Sequence, residues 1–203
     1  MCGRYDLSEN PAAIRAHFSV PSVPEFAPRV DVRPTERAPI VRINPLSVKR
    51  ESALARWGLV PAWAKDMKFG ARCINARVET LASLPAYRAA FRNRRCLVPV
   101  SSFFEWSGPG GVRTKWRVSM QGQPLLGLAG LWERWIDPRS GEAVETYTIV
   151  TTAANEALAA VHDRMPVIVA PDRYESWLDP GCTQMDLFVP VPQNGLEIQK
   201  VSA

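Results

Sequence analysis

The spacing of turn signals constrains this chain more than any other feature. Gly108-Pro109-Gly110-Gly111 and Asp137-Pro138-Arg139-Ser140-Gly141 each interrupt runs rich in β-branched and aromatic residues. Glycine reaches positive φ without a steric cost, and proline fixes φ and lacks a donor, so such clusters end strands and reverse the chain. Residues 116–120, 125–135 and 144–152 therefore read as strands, and the turn between the last two points to an antiparallel meander. Residues 40–43, 48–57, 96–100 and 167–169 carry similar patterns. Helical signals are shorter. Ser8 can cap a helix with Glu9 and Pro11 in its first turn, Pro85 opens one that carries Arg88 and Arg92 on one face, Asn155 caps another, and Pro171-Asp172 starts the last. Residues 19–39 hold Pro21, Pro24, Pro28, Pro34 and Pro39 and read as a surface loop. Strands outnumber helices, and many short strands leave edges that closure would protect. The expected fold is α+β: a curved, mostly antiparallel sheet closing toward a barrel, flanked by short helices.

No repeat, low-complexity tract or linker divides the 203 residues, so one domain is expected over 1–203, with an extended tail from about 183. A formal charge of +5 suits an anionic partner such as nucleic acid, although many basic proteins bind none. The four cysteines, Cys2, Cys73, Cys96 and Cys182, share no C-x-x-C spacing, and there are two histidines. Neither a structural zinc site nor a disulfide framework is indicated, and reduced thiols in a cytosolic compartment fit the pattern. The N-terminus lacks the apolar core of a signal peptide, and no apolar run is long enough to span a membrane.

Five places carry chemistry. Removal of Met1 would make Cys2 the N-terminal residue, with an α-amine and a thiol on neighbouring carbons. That pair condenses with an aldehyde, first to an imine and then to a thiazolidine. The amine titrates near about 7.7–8.0 and the thiol near about 8.5, so both have reactive fractions near neutral pH. Arg4 is placed to lower the thiol further. Taken alone, however, a cysteine at position 2 is more often accidental. Glu105 lies between Phe103-Phe104 and Trp106, and is either on a polar strand face or desolvated with a raised pKa. His162 lies in a turn with Asp163 and Arg164, where it is either a satisfied histidine or part of a site. Trp57 and Trp63 are core residues or stacking platforms, and Arg88 and Arg92 belong to a solvated face or hold phosphate.

Five blocks then occur in order: Met1-Cys2-Gly3-Arg4, Trp57-Gly58-Leu59-Val60-Pro61-Ala62-Trp63-Ala64, Asn75-Ala76-Arg77-Val78-Glu79-Thr80, Arg95-Cys96-Leu97-Val98-Pro99 leading to Phe104-Glu105-Trp106, and His162-Asp163-Arg164-Met165-Pro166. Together they resemble the SRAP (SOS response-associated peptidase) family over residues 1–178. The resemblance implies a protein that crosslinks covalently to abasic sites in single-stranded DNA, acting as a monomer, without a cofactor, metal or membrane. It implies Cys2 as the crosslinking nucleophile, Asn75 as the residue orienting the N-terminus, Glu105 as general acid and base, and His162 as the group acting on the sugar oxygen. Arg4, Trp63, Arg77 and Arg88 fall where the family holds DNA. Weak AP lyase activity and self-removal of Met1 are implied side activities, and DNA would bring the cytoplasmic protein to the nucleoid.

Two stretches depart from the family's usual pattern. Asp31-Val32-Arg33-Pro34-Thr35 stands for Asn-x-Ala-Pro-Thr, and Val100-Ser101-Ser102 stands where a small residue, Asp and Gly are common. Both bear on loop geometry and DNA contacts rather than on the four chemical residues. Two other functions compete: a thiol peptidase using Cys2, His162 and Asn75, and a plain nucleic-acid-binding module with no covalent step.

Overall fold

The computed structural model describes residues 2–108, 113–182 and 195–201, and most of them lie in strands. The first half runs β1 (Arg4–Leu7), α1 (Pro11–Phe18), β2 (Arg29–Val32), β3 (Arg37–Ile43), β4 (Arg50–Trp57), a 3-10 turn at Met67–Arg72, β5 (Asn75–Arg77) and α2 (Arg88–Asn93). It continues through β6 (Arg95–Val100), β7 (Ser102–Ser107), β8 (Thr114–Met120), β9 (Leu126–Ile136) and β10 (Ala143–Ala153). The remainder holds α3 (Glu156–Ala159), β11 (Arg164–Pro166), β12 (Ile168–Val169), α4 (Tyr174–Leu178) and β13 (Leu196–Val201).

Five strands close on themselves in the order β10-β4-β3-β6-β9, and β9 pairs back onto β10. This is the barrel expected from the strand-rich pattern. The closing contact of β4 on β10 is parallel, Thr146 opposite Arg56 and Tyr147 opposite Trp57, while the rest of the ring is antiparallel. Closure needs close approach where β6, β9 and β10 meet. A Cβ on Gly130 would come within 2.9 Å of Cys96 Sγ and 3.0 Å of the Thr148 carbonyl, so only glycine fits there. β5 and β11 add to β10, and β12 adds to β9. A second sheet, β13-β8-β7-β1-β2, carries the N-terminal strand.

The expected meander is half right. β9 and β10 form the antiparallel hairpin around Asp137, but β8 lies in the second sheet between β7 and β13. Burial explains the split. β9 is buried along most of its length and suits a barrel wall, whereas most of β8 is only half-buried and suits a sheet with one wet face. The turn expected at Gly108 joins the paired strands β7 and β8, and residues 109–112 lie outside the described residues. The start of the tail, 183–194, also lies outside them, while Leu196–Val201 pairs with β8. The loop read at 19–39 contains β2 and the start of β3, because Val32 finds a partner opposite Tyr5 and Arg37 one opposite Arg56. Asn10, not Ser8, caps α1: its Oδ1 accepts from the Ala13 N–H at 3.0 Å. Asn155 caps α3 as expected, through Leu158 N–H at 3.0 Å. Trp57, Trp135 and Trp177 fill the core, each with its indole N–H on a carbonyl, of Ile74, Ala64 and Cys96 respectively.

Candidate active site

The pairing of β1 with β7 carries the N-terminus into the protein. Arg4 stands opposite Phe104 and Tyr5 opposite Phe103, so Cys2, just ahead of β1, is fully buried. Its carbonyl accepts from Asn75 Nδ2 at 2.9 Å. Asn75 begins β5, which lies parallel to β10 with Asn75 opposite Ile149. The Asn75 carbonyl accepts from the Tyr87 hydroxyl at 3.0 Å, and its Oδ1 is buried with no hydrogen-bond partner among the described residues. An orphaned buried acceptor beside Cys2 is costly unless something donates to it.

Glu105 is 1% exposed, which decides for the desolvated reading over the polar strand face. Burial, with a further push from the negative charge of Asp163, raises its carboxyl to about 7. Burial first, and then the charge of Glu105, push the Cys2 thiol well above its usual range. Cys2 is therefore a thiol at neutral pH. The expectation that Arg4 lowers it does not hold, because the Arg4 guanidinium is engaged elsewhere. Its Nη1 lies 3.2 Å from Asp31 Oδ2, and its charge sits 5.8 Å from the centre of the Trp106 ring. Arg33 shares the same Asp31 oxygen at 2.8 Å. The departure from the family pattern at 31–35 thus arrives as an ion pair that touches Arg4. In the same loop Thr35 adopts φ 77°, a left-handed conformation that a β-branched residue rarely takes, with its N–H on the Trp57 carbonyl at 2.8 Å.

His162 follows α3, and its own N–H bonds the Leu158 carbonyl at 3.0 Å. Its Nδ1 accepts from the Arg164 N–H at 2.9 Å. Partial burial lowers its pKa, so the ring is neutral at neutral pH. The negative charge of the neighbouring Asp163 acts on the Glu105 carboxyl. Asn75 bonds the Cys2 carbonyl and the charge of Glu105 acts on the Cys2 thiol, so two distant segments meet at Cys2.

Of the four expected DNA contacts, Arg4 is half-buried, Arg77 and Arg88 are exposed, and Trp63 is 58% exposed. Trp63 packs edge-on to Phe69 at 5.1 Å, and its indole N–H reaches the Pro85 carbonyl at 3.4 Å, near the start of α2 and Arg88. Beside it opens a cleft of about 410 Å³ whose lining includes Trp63, Lys65, Asp66, Lys68, Phe69 and Arg72. The sequence reading missed these three cations, although basic residues interleaved with aromatics were a signal. It also missed Tyr87, whose role depends on a fold-made contact with the Asn75 carbonyl.

The profile of the SOS response associated peptidase (SRAP) family matches residues 1–203. The chain belongs to the SRAP family. This SRAP chain is 36% identical over 211 aligned positions to the abasic site processing protein YoaM of Bacillus subtilis, covering all of this chain and 92% of that one. It is also 36% identical to YoqW of the same organism, covering all of this chain and 93% of YoqW, again named an abasic site processing protein. A solved protein from Bacteroides thetaiotaomicron has the SRAP chain's fold, with a TM-score of 0.91 at 24% identity over 99% of this chain and 92% of its own. Among its described residues, no helix of the SRAP chain is long and apolar enough to cross a membrane.

Proposed function

We propose that this chain captures abasic sites in single-stranded DNA as a covalent thiazolidine on Cys2, once Met1 has been removed. The observation that carries the reading is the buried Cys2 thiol facing a carboxyl whose pKa is about 7, with Asn75 bound to the Cys2 carbonyl. The names of YoaM and YoqW, abasic site processing proteins, support the substrate.

The chemistry follows from the protonation states. An abasic deoxyribose equilibrates with an open-chain aldehyde. The neutral ring of His162 acts on the sugar oxygen during ring opening. The Cys2 α-amine adds to the aldehyde carbon to give a carbinolamine. Glu105, whose carboxyl burial raises to about 7, gives a proton to the departing hydroxyl, and water leaves as the protonated imine (iminium) forms. The carboxylate so produced takes the proton of the Cys2 thiol, which burial otherwise keeps in place. Sulfur then bonds to the iminium carbon, and the nitrogen, which has kept its proton, becomes the neutral amine of the ring. The sum is aldehyde plus cysteine giving thiazolidine plus water. Asn75 Oδ1, the orphaned acceptor, holds the α-amine without adding a charge that would shift it. Arg4, Arg77 and Arg88 hold flanking phosphates and Trp63 stacks on a base, so binding is salt-sensitive and tolerant of sequence. Weak strand cleavage by β-elimination from the imine, and self-removal of Met1, belong to the same proposal.

The peptidase reading has less support. A Cys-His-Asn triad needs the amide to orient the imidazole, whereas here Asn75 binds the Cys2 carbonyl and His162 Nδ1 takes the Arg164 N–H. The test is a denaturing gel of the Met1-free protein with a single-stranded oligonucleotide carrying one abasic site, beside undamaged oligonucleotide and Cys2→Ala protein. A shifted band that needs both the abasic site and Cys2 is expected. An equal band from Cys2→Ala, or none from the wild type, rejects the mechanism.

A further inference from the structure

One side chain joins two of the segments that build the site, 85 positions apart in sequence. Arg164 Nη1 donates to Glu79 Oε1 at 2.6 Å and Nη2 to Oε2 at 2.9 Å, and Nη2 also donates to the Thr151 carbonyl at 2.8 Å. The Arg164 side chain is only 12% exposed. A two-point fork between planar groups fixes orientation as well as charge. Glu79 follows β5 by two residues, and Arg164 opens β11 opposite Ala153 of β10. The fork therefore locks the trailing end of the Asn75 strand to the residue whose backbone N–H bonds His162 Nδ1 at 2.9 Å.

A second contact competes at Nδ1. Asp163 Oδ1 lies 2.8 Å from it, and one nitrogen cannot accept from an N–H and donate to a carboxylate at once. The Asp163 side chain is 87% exposed, so water screens its pull. The Arg164 backbone that carries the competing N–H is held in the strand pairing, opposite Ala153.

We propose that the Glu79–Arg164 fork is a positioning device for His162. It holds the Arg164 N–H on Nδ1, keeps the ring in the tautomer with hydrogen on Nε2, and so aims an Nε2–H donor at the sugar oxygen. The proposal rests on the role given to His162 above. Arg164 is then a positioning residue rather than a phosphate contact, and Glu79 acts through it.

The experiment compares Glu79→Gln, Arg164→Gln and Arg164→Lys with the wild type. The imidazole ¹⁵N resonances of His162, assigned against His17→Gln protein, report the tautomer. Crosslink rate at saturating abasic oligonucleotide is measured separately from the affinity for undamaged oligonucleotide. Arg164→Lys keeps the charge and loses the fork. It is expected to lower the rate on the order of tenfold, the effect of misaiming a reacting group, with near wild-type affinity and a mixed tautomer signal. A wild-type rate and tautomer in Arg164→Lys overturn the proposal. So does tighter DNA binding by Glu79→Gln at an unchanged rate, which would make Arg164 a phosphate contact held back by Glu79. If an arginine variant fails to fold, Glu79→Gln, which keeps one acceptor oxygen, decides the matter. If the wild type forms no crosslink, the functional reading fails, while the ¹⁵N pattern still reports on the fork.

Discussion

Replacement of Glu105 by Gln tests the site through both stability and chemistry. Glu105 titrates near 4.5 when exposed and at about 7 in the fold, because burial penalises its charged form. The folded protein therefore holds this proton more tightly than the unfolded chain does. Its stabilising effect is complete below about pH 4.5 and is lost as pH rises through about 7. The difference of roughly two and a half units corresponds to about 3 kcal/mol, at 1.36 kcal/mol per unit. Glutamine keeps the shape and removes the titration. Urea unfolding at pH 5 and pH 8 should show the wild type losing about 2–3 kcal/mol relative to Glu105→Gln over that interval. For a chain of this size that is a change of roughly 4–12 °C in the difference between the two melting temperatures. The same variant should slow crosslinking by about 10²–10⁴, the usual contribution of a positioned acid and base. Parallel pH profiles within about 1 kcal/mol would refute the desolvated carboxyl. Crosslinking at the wild-type rate would refute its role as proton carrier.

Three further substitutions test the proposed nucleic-acid surface by fluorescence anisotropy on single-stranded oligonucleotides. Arg77→Ala should weaken non-covalent binding and reduce the log–log salt slope by about 0.7, the release expected for one phosphate; an unchanged slope removes Arg77 from the interface. Trp63→Ala should cost about 1–3 kcal/mol of affinity if a base stacks on the exposed indole, and wild-type affinity would exclude that platform. Asp31→Asn frees Arg4 and Arg33 from a shared carboxylate and should tighten binding about two- to fivefold at low salt, the scale of an exposed ion pair. Weaker binding instead would mean that Asp31 orients Arg4 for the phosphate rather than competing with it.

Local physics was legible in the chain. The turn residues at 137–141 marked the hairpin of β9 and β10, and Asn155 marked the start of α3, because glycine, proline and capping side chains act on neighbours a few residues away. The residue types of the site were legible too, since Cys2, Asn75, Glu105 and His162 stand in recognisable blocks and their chemistry belongs to the side chains themselves. Only the tertiary structure decided what depends on distant partners. The same strand pattern served β8 and β9, but β9 entered the barrel and β8 the second sheet. The indole of Trp57 went into the core and that of Trp63 into solvent, although they stand only six positions apart. Glu105 holds its proton up to about pH 7 because the fold buries it, and Arg4 does not act on the Cys2 thiol because Asp31 stands within its reach. A pKa, an ion pair and a strand's neighbour are each set by the segment that lies across from a residue. That segment is chosen by the burial of the whole chain, which no stretch of sequence encodes alone.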